Sequence, residues 1–156
     1  MSFLEETQNN SLKPKVIMFT IEADKIEENY NKFIELIKQD SRSEQLLKFY
    51  EDDFFKEQLT TAPASAKTFF HNAFPGGYLD HVLRVTEIAL KMAGTFKASE
   101  GEINFTKQEL IFAALHHDLG KLGVPGTPYY VDQDSDWHRK RGEVYKHNDA
   151  IQYMKV

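Results

Sequence analysis

The sequence predicts a helical domain, from the spacing of its apolar residues and from recurrent helix-start signals. Apolar residues recur at intervals of three and four, the period at which one face of a helix is buried. The first such series is Ile26, Tyr30, Phe33, Ile34 and Ile37. It predicts an amphipathic helix over roughly residues 25–39. Capping-box pairs, in which a Ser, Thr or Asp precedes a Glu by three positions, mark helix starts at Asp24, Ser41 and Thr106.

Three further helices follow. The second carries a dense series of aliphatic and aromatic residues and ends near Pro63. The third runs from Tyr78 to Ala93, with a stop expected at Gly94, and because it is apolar on most of its circumference we expect it to be central. A fourth helix, short and buried, starts at Thr106 and ends near Gly120.

The remaining segments are predicted as turns and loops. Pro75, Gly76 and Gly77 permit a tight turn or a close backbone approach before the central helix. Residues 123–137 are rich in Pro, Gly, Tyr and Asp, so we expect an ordered loop of the kind that often lines a site. Helical character returns at about Arg141. No helix stop follows it, so we expect the chain to be a fragment, cut inside or just after a helix of a longer protein.

Composition allows one folded domain. With 156 residues, 41% of them hydrophobic and 13% aromatic, the chain has apolar material for a single core. We therefore expect an N-terminal tail or packing segment at 1–20 and one domain at 21–156. The N-terminus has acidic residues where a signal peptide needs a basic start, and no stretch reaches membrane-spanning length. The expected location is the cytoplasm, without a membrane partner.

Charge and cysteine content exclude several function classes. The formal net charge of −5 argues against a chain-wide electrostatic grip on nucleic acid, although a local basic groove is compatible with it. Because the chain has no cysteine, disulfides and thiolate metal sites are excluded. A metal would have to use nitrogen and oxygen ligands, which favours harder ions.

The most informative stretch is Leu115-His116-His117-Asp118-Leu119-Gly120-Lys121. His117 follows Ala113 by four residues and Leu110 by seven, so it should face inward with the apolar stripe of its helix. An inward His beside an inward or terminal Asp costs free energy unless something pairs them. A divalent metal satisfies both, since neutral imidazole and carboxylate are competent ligands. The alternative is a hydrogen-bonded core His, with Asp118 as a helix-end or turn residue.

His81 changes the balance between these two interpretations. It lies on the apolar central helix among aliphatic residues, where an imidazole needs a partner. Taken alone, it is typical of a hydrogen-bonded core histidine. Together with His117 and Asp118 on a neighbouring helix, it favours a metal site.

Two stretches of the chain resemble the HD hydrolase superfamily. They are FFHNAFPGGYLDHVLRV at 69–85 and ALHHDLGK at 114–121. The likeness covers roughly 58–150, and in particular the chain resembles the HD domain of bacterial 3′ to 5′ exoribonucleases and related HD proteins of large bacteriophages. A GG-x-x-x-H helix combined with a later H-D-x-G-K is more specific than H-D-x-G-K alone. The resemblance implies an all-α fold, an HD-domain helical bundle with its core motifs in 58–150.

The resemblance also implies a metal centre for phosphate chemistry. His81, His117 and Asp118 would bind one or two divalent cations, with Mn, Mg, Fe, Co and Ni all open as identities. Asp118 would also orient or deprotonate a water activated by the ion. Lys121 would lie near the substrate phosphate, or would instead be a solvated residue that interacts with a helix-end dipole. Arg84, one turn beyond His81, would either clamp a phosphate or pair with an acidic residue nearby.

Three other histidines are candidates of different standing. His147 resembles a downstream His of the same family pattern and is the fourth candidate metal ligand. His71 also matches a His of that pattern, and either reaches the site or lies on the surface. His116 points about 100° away from its neighbour around the helix, so we do not expect it to be the main ligand.

One family feature is not identified. The superfamily pattern closes its metal site with an Asp far downstream on a later helix, and the chain ends before one can be identified. Candidates in principle are Asp132, Asp134, Asp136 and Asp149. Without that ligand we expect the site to be weak, open or inactive.

Three functions are open at this point. The first is hydrolysis of a phosphate ester in a nucleotide, or at the 3′ end of RNA or single-stranded DNA. Candidates for stacking on a base are Phe74, Tyr78, Tyr129, Tyr130 and Trp137, and candidates for a basic rim are Lys121, Arg139, Lys140 and Arg141. The second function is a non-catalytic HD module that binds a nucleotide or a partner protein. The third is a di-iron oxygenase on the same scaffold, which needs additional His or Asp ligands.

Overall fold

The computed structural model describes residues 20–99 and 101–154, with side chains described as far as Ile151. The tail or packing segment expected at 1–20 lies outside these ranges except for Thr20. The α-helices of the described chain are α1 Ala23–Lys38, α2 Ser43–Tyr50, α3 Asp53–Thr61, α4 Gly77–Ala98, α5 Lys107–His116 and α6 Asp136–Lys140. Two 3₁₀ helices span Leu119–Leu122 and Asp149–Met154, and two strands span β1 Tyr130–Asp132 and β2 Tyr145–His147.

Helices dominate, as predicted, but the fold is not purely α-helical. β1 and β2 pair in antiparallel fashion, with Tyr130 opposite His147. The segment 123–137, predicted as a loop, therefore ends in a strand and the start of a short helix. The helix expected from about Arg141 is wrong. The chain instead reverses at Gly142, whose φ of +84° favours glycine, and continues into β2.

The observed helix ends differ from the predicted ones in several places. α1 starts one residue before Asp24 and has no side-chain cap, so the capping box expected there is wrong. The box expected at Ser41 is wrong as well, because α2 starts at Ser43 after Arg42 and has no side-chain cap. α5 ends at His116, before the expected end near Gly120. The second predicted helix is two helices, because the Asp52 carboxylate accepts a hydrogen bond from Phe54 N and starts α3. α4 continues past the stop expected at Gly94, where an added side chain would meet open space. The capping box at Thr106 is confirmed as the start of α5.

α4 is the central helix, as predicted. It packs against α1, α3 and α5. Its first turns carry Tyr78, Leu79 and Val82, which are fully buried. Burying a large apolar side chain contributes about 1.5–3 kcal/mol, so this end of α4 is firmly held in the core. None of the described helices combines the length and the apolar character needed to cross a membrane.

Candidate metal centre

Three ligand atoms meet where the start of α4 faces the end of α5. His81 Nε2 lies 3.3 Å from His117 Nε2 and 3.3 Å from Asp118 Oδ2. The third side of the triangle, from His117 Nε2 to Asp118 Oδ2, measures 3.4 Å. An ion with bonds of about 2.1 Å to nitrogen and oxygen separates its ligands by roughly 3.0–3.4 Å, depending on the coordination geometry. The triangle therefore has the size that a single cation requires.

Secondary structure brings these atoms together. His81 lies in the first turns of α4, and His117 follows the last residue of α5. His117 Nδ1 lies 2.7 Å from the carbonyl oxygen of Ala114. Because a carbonyl oxygen only accepts, Nδ1 must donate, and in this tautomer the lone pair of Nε2 faces the centre of the triangle. Two acceptors, Nε2 and Asp118 Oδ2, then face each other without a proton between them, an arrangement that a cation stabilises.

The protonation states also suit a cation. Burial, followed by the neighbouring His71, lowers the pKa of His81 to about 4, so its imidazole is neutral at neutral pH. Partial burial by itself raises the pKa of Asp118, but the hydrogen bond and charge of Lys121 outweigh it and hold that pKa below its usual value. A neutral imidazole and an ionised carboxylate are ligands of divalent first-row metals and Mg²⁺. The donor set fits the ion that the sequence predicts.

A strained turn, which we call the 71–77 turn (residues 71–77), holds the start of α4. Asn72 has a φ of +54°, which is uncommon for a residue with a side chain. Its amide Nδ2 donates to Asp80 Oδ2 at 2.7 Å, and its carbonyl accepts from Ala64 N at 3.0 Å. At Gly77 an added Cβ would lie 2.2 Å from the carbonyl oxygen of Asn72, so glycine is required there. The predicted close backbone approach of the glycine pair is therefore observed.

The 71–77 turn also places His71 at the site. Ser65 Oγ donates to the carbonyl of His71 at 2.7 Å, and the His71 ring stacks on the His81 ring with centroids 4.3 Å apart. Of the two positions considered for His71, the structure shows the one beside the metal centre. Its ring nitrogens are nevertheless not part of the ligand triangle.

The two basic residues predicted for the site are placed differently. Lys121 Nζ donates to Asp118 Oδ2 at 2.8 Å, so its ammonium lies beside the ligand triangle rather than free in solvent. Arg84 donates to Asp80 Oδ2 at 2.6 Å and its side chain is mostly exposed. The structure thus shows the ion pair that was one of its two expected roles. A phosphate contact by Arg84 stays a prediction.

Two histidines lie apart from the triangle. His116 Nδ1 bonds to the carbonyl of Phe112, and its ring lies 4.2 Å from the Phe112 ring, on another side of the helix from the metal centre. His147 lies on β2 with its ring against Tyr129 and Tyr130, at centroid distances of 4.9 and 5.4 Å. It does not belong to the group of ligand atoms within 4.8 Å of one another, so its role as a ligand stays a prediction.

A downstream Asp ligand is also not present among the described residues. The metal-competent group found there consists of His81, His117 and Asp118. Two of the candidate aspartates are engaged in ion pairs, Asp134 with Lys146 and Asp136 with Arg139. The described chain therefore offers three protein ligands.

The structure also shows which of the candidate aromatic residues are exposed to solvent. Phe74 and Tyr78 are buried in the core, so they are not available for stacking on a base. Trp137 is exposed, as that role requires. Sequence reasoning missed Phe69 and Phe70, which are both exposed and lie directly before His71. Their signal was present, because two adjacent aromatic residues outside a predicted helix rarely both face one core.

Comparisons with known proteins agree with this geometry. Residues 78–154 match the family model of the HD domain. A curated relative, the dihydroneopterin 2′,3′-cyclic phosphate phosphodiesterase of Methanocaldococcus jannaschii, is 31% identical over 102 residues, which are 61% of this chain and 40% of the relative. The chain thus spans less than half the length of that relative. No solved structure matches the chain significantly. The family match includes all three ligand positions, so residues 78–154 of the chain belong to the HD-domain superfamily.

Proposed function

We propose that this chain hydrolyses a phosphodiester of a nucleotide or nucleotide-like molecule, including the 3′ end of a nucleic acid, with a divalent cation held by His81, His117 and Asp118. The observation that carries the proposal is the triangle of ligand atoms with sides of 3.3–3.4 Å. The HD family match and the phosphodiesterase relative support phosphoester hydrolysis in general. That relative's name specifies a cyclic phosphodiester on a pterin, a ring system similar in size to a purine.

The site's own residues supply most of the required positioning. A bound divalent ion lowers the pKa of a coordinated water and polarises a phosphoryl oxygen. Asp118 uses Oδ2 for the ligand triangle and for Lys121, which leaves Oδ1 to accept the proton of the attacking water. Lys121 holds this carboxylate in place and presents its positive charge to the incoming phosphate. His117 is oriented by its bond to the Ala114 carbonyl, which keeps Nε2 directed into the site.

A second candidate is a non-catalytic module that binds a nucleotide through the same site. It is favoured by the number of protein ligands, since three lie together among the described residues and no downstream carboxylate joins them. The same count disfavours the di-iron oxygenase considered from the sequence, because two irons need more His or Asp ligands.

One experiment separates the two candidates. Metal content after equilibrium dialysis against Mn²⁺ is measured for the wild type, for Asp118→Asn and for Asp24→Asn, an exposed matched control on α1. Hydrolysis of bis(p-nitrophenyl) phosphate and of 2′,3′-cyclic nucleotides is then followed. We expect metal and hydrolysis to be lost together in Asp118→Asn alone. Metal binding without hydrolysis across the panel would favour the binding module, and wild-type protein that binds no metal would refute hydrolysis at a metal centre.

A further inference from the structure

Three large aromatic side chains are exposed on two segments that backbone hydrogen bonds join. Phe69 is 64% exposed, Phe70 57% and Trp137 60%. The Phe69 and Phe70 rings contact each other at a centroid distance of 5.0 Å. We call these three residues the aromatic platform. Exposed aromatic rings that lie close together typically mark a binding surface, because leaving them in water costs free energy.

Backbone pairing joins the two segments that carry the platform. Thr68 N donates to the carbonyl of Gly142 at 2.8 Å, and an added Cβ at Gly142 would lie 3.5 Å from the Phe69 ring. The guanidinium of Arg141 lies over the Trp137 ring, 4.5 Å from its centroid. The segment before the central helix and the segment that follows α6 are therefore held against each other.

The two segments that carry the platform have an excess of positive charge, in a chain whose net charge is −5. Lys67 Nζ lies 5.7 Å from the Phe69 ring centroid and 5.9 Å from that of Phe70. The Lys, Arg, Asp and Glu residues of segments 67–70 and 136–143 are the cations Lys67, Arg139, Lys140 and Arg141 and the anions Asp136 and Glu143. Two of these cations are in ion pairs, Lys67 with Glu143 and Arg139 with Asp136. No ion pair among the described residues uses Lys140 or Arg141. This excess of cations is complementary to a partner that carries both negative charge and flat apolar rings.

One segment of the platform is adjacent in sequence to a residue beside the metal centre. Phe70 is followed by His71, whose ring stacks on the metal-ligand candidate His81. We propose that the aromatic platform binds single-stranded nucleic acid, with bases stacked on Phe69, Phe70 and Trp137 and phosphates beside the surrounding cations. A mononucleotide has one base, which cannot stack on all three rings. Bases inside a duplex are already stacked and have no free faces for the rings. The inference rests on the proposed function and narrows its substrate class to a strand that extends beyond the hydrolysed bond.

Binding can be measured without hydrolysis. Trp137 is the only tryptophan of the chain, so its emission reports directly on the platform. The full chain in EDTA is titrated with oligo(dT) and oligo(U) of about 4 to 16 nucleotides, the range of site sizes known for single-strand binding surfaces. We expect quenching of Trp137, tighter binding to longer strands, and weaker binding as salt rises, because phosphate contacts release counterions.

Variants locate the binding surface. Phe69→Ala and Phe70→Ala should each weaken binding of a labelled strand on the order of tenfold in fluorescence anisotropy. The matched control is Phe96→Ala, which removes a ring that is 54% exposed at the other end of α4, about 22 Å along the helix from His81. It should leave strand binding unchanged.

Several outcomes would overturn the inference. The first is that added strands change neither the Trp137 emission nor the anisotropy. The second is that Phe96→Ala weakens strand binding as much as Phe69→Ala does. The third is that the wild type binds no strand but self-associates, and that Phe69→Ala abolishes this self-association. The last outcome would make the platform a protein-binding surface. Failure here is distinguishable from failure of the proposed function, because hydrolysis of bis(p-nitrophenyl) phosphate tests the metal centre without any strand. Strand binding in EDTA tests the platform without the metal.

Discussion

Replacing Gly77 by alanine tests whether the 71–77 turn sets the geometry of the metal centre. The new Cβ would lie 2.2 Å from the carbonyl oxygen of Asn72, so this carbonyl would have to move by about 1 Å to reach an ordinary contact distance. Asn72 cannot move freely, because it is bonded to Ala64 N and to the Asp80 carboxylate. Overpacking of this kind costs about 1–3 kcal/mol. It outweighs the gain of up to about 1 kcal/mol that alanine gives over glycine in a helix.

Gly94→Ala on the same helix is the matched control. Nothing lies within 4 Å of an added Cβ there, so the helix propensity of alanine should raise stability by up to about 1 kcal/mol. Urea unfolding gives the two free energies, and a Co²⁺ absorption titration gives metal affinity. We expect Gly77→Ala to lower the free energy of unfolding by about 2 kcal/mol. It should also weaken metal binding at least tenfold, because losing the contacts that orient a metal ligand typically lowers metal affinity by that factor. Wild-type stability and metal affinity in Gly77→Ala would refute this reasoning.

The remaining predictions concern single side chains of the site. Since the pKa of His81 is about 4 in the folded chain and about 6.5 for an unperturbed histidine, the unfolded state binds more protons between those values. The free energy of unfolding of the metal-free protein should therefore fall as pH drops from about 6.5 towards 4, and His81→Gln should reduce this dependence in urea melts. Lys121→Ala should slow hydrolysis by about tenfold or more while elemental analysis at saturating metal finds the metal content unchanged, and an equal loss of metal would make Lys121 structural. His117→Ala should remove the bound metal and His116→Ala should spare it, whereas the reverse result would mean that the helix register is wrong.

The sequence predicted the centre of the fold and site better than the periphery. Helical spacing placed His81 on an apolar helix, as observed. The inward position expected for His117 is wrong, because its side chain is 38% exposed and lies just after the end of α5. The signal for the helix that carries His81 is local, since apolar residues three and four positions apart mark its buried face. The same holds for the capping box at Thr106, in which the partners are three residues apart.

The strand pair could not be predicted in the same way. β2 has three residues and pairs with β1 more than ten positions earlier, so no local period marks either strand. The sequence around Arg141 is equally compatible with a helix, and the reversal at Gly142 decides against it. The burial of Tyr78 accompanies the 71–77 turn, in which the positive φ of Asn72 goes with a side-chain hydrogen bond to Asp80 that no helical period marks.

The hydrogen bond from Lys121 to Asp118 Oδ2 has a consequence for how the centre fills and empties. An ammonium group already neutralises the carboxylate, so the ligand atoms keep their arrangement before any ion arrives and little reorganisation accompanies loading. An incoming dication must share that oxygen with the ammonium group, so it is attracted less strongly than it would be by an unpaired carboxylate. Binding of the ion should therefore be readily reversible.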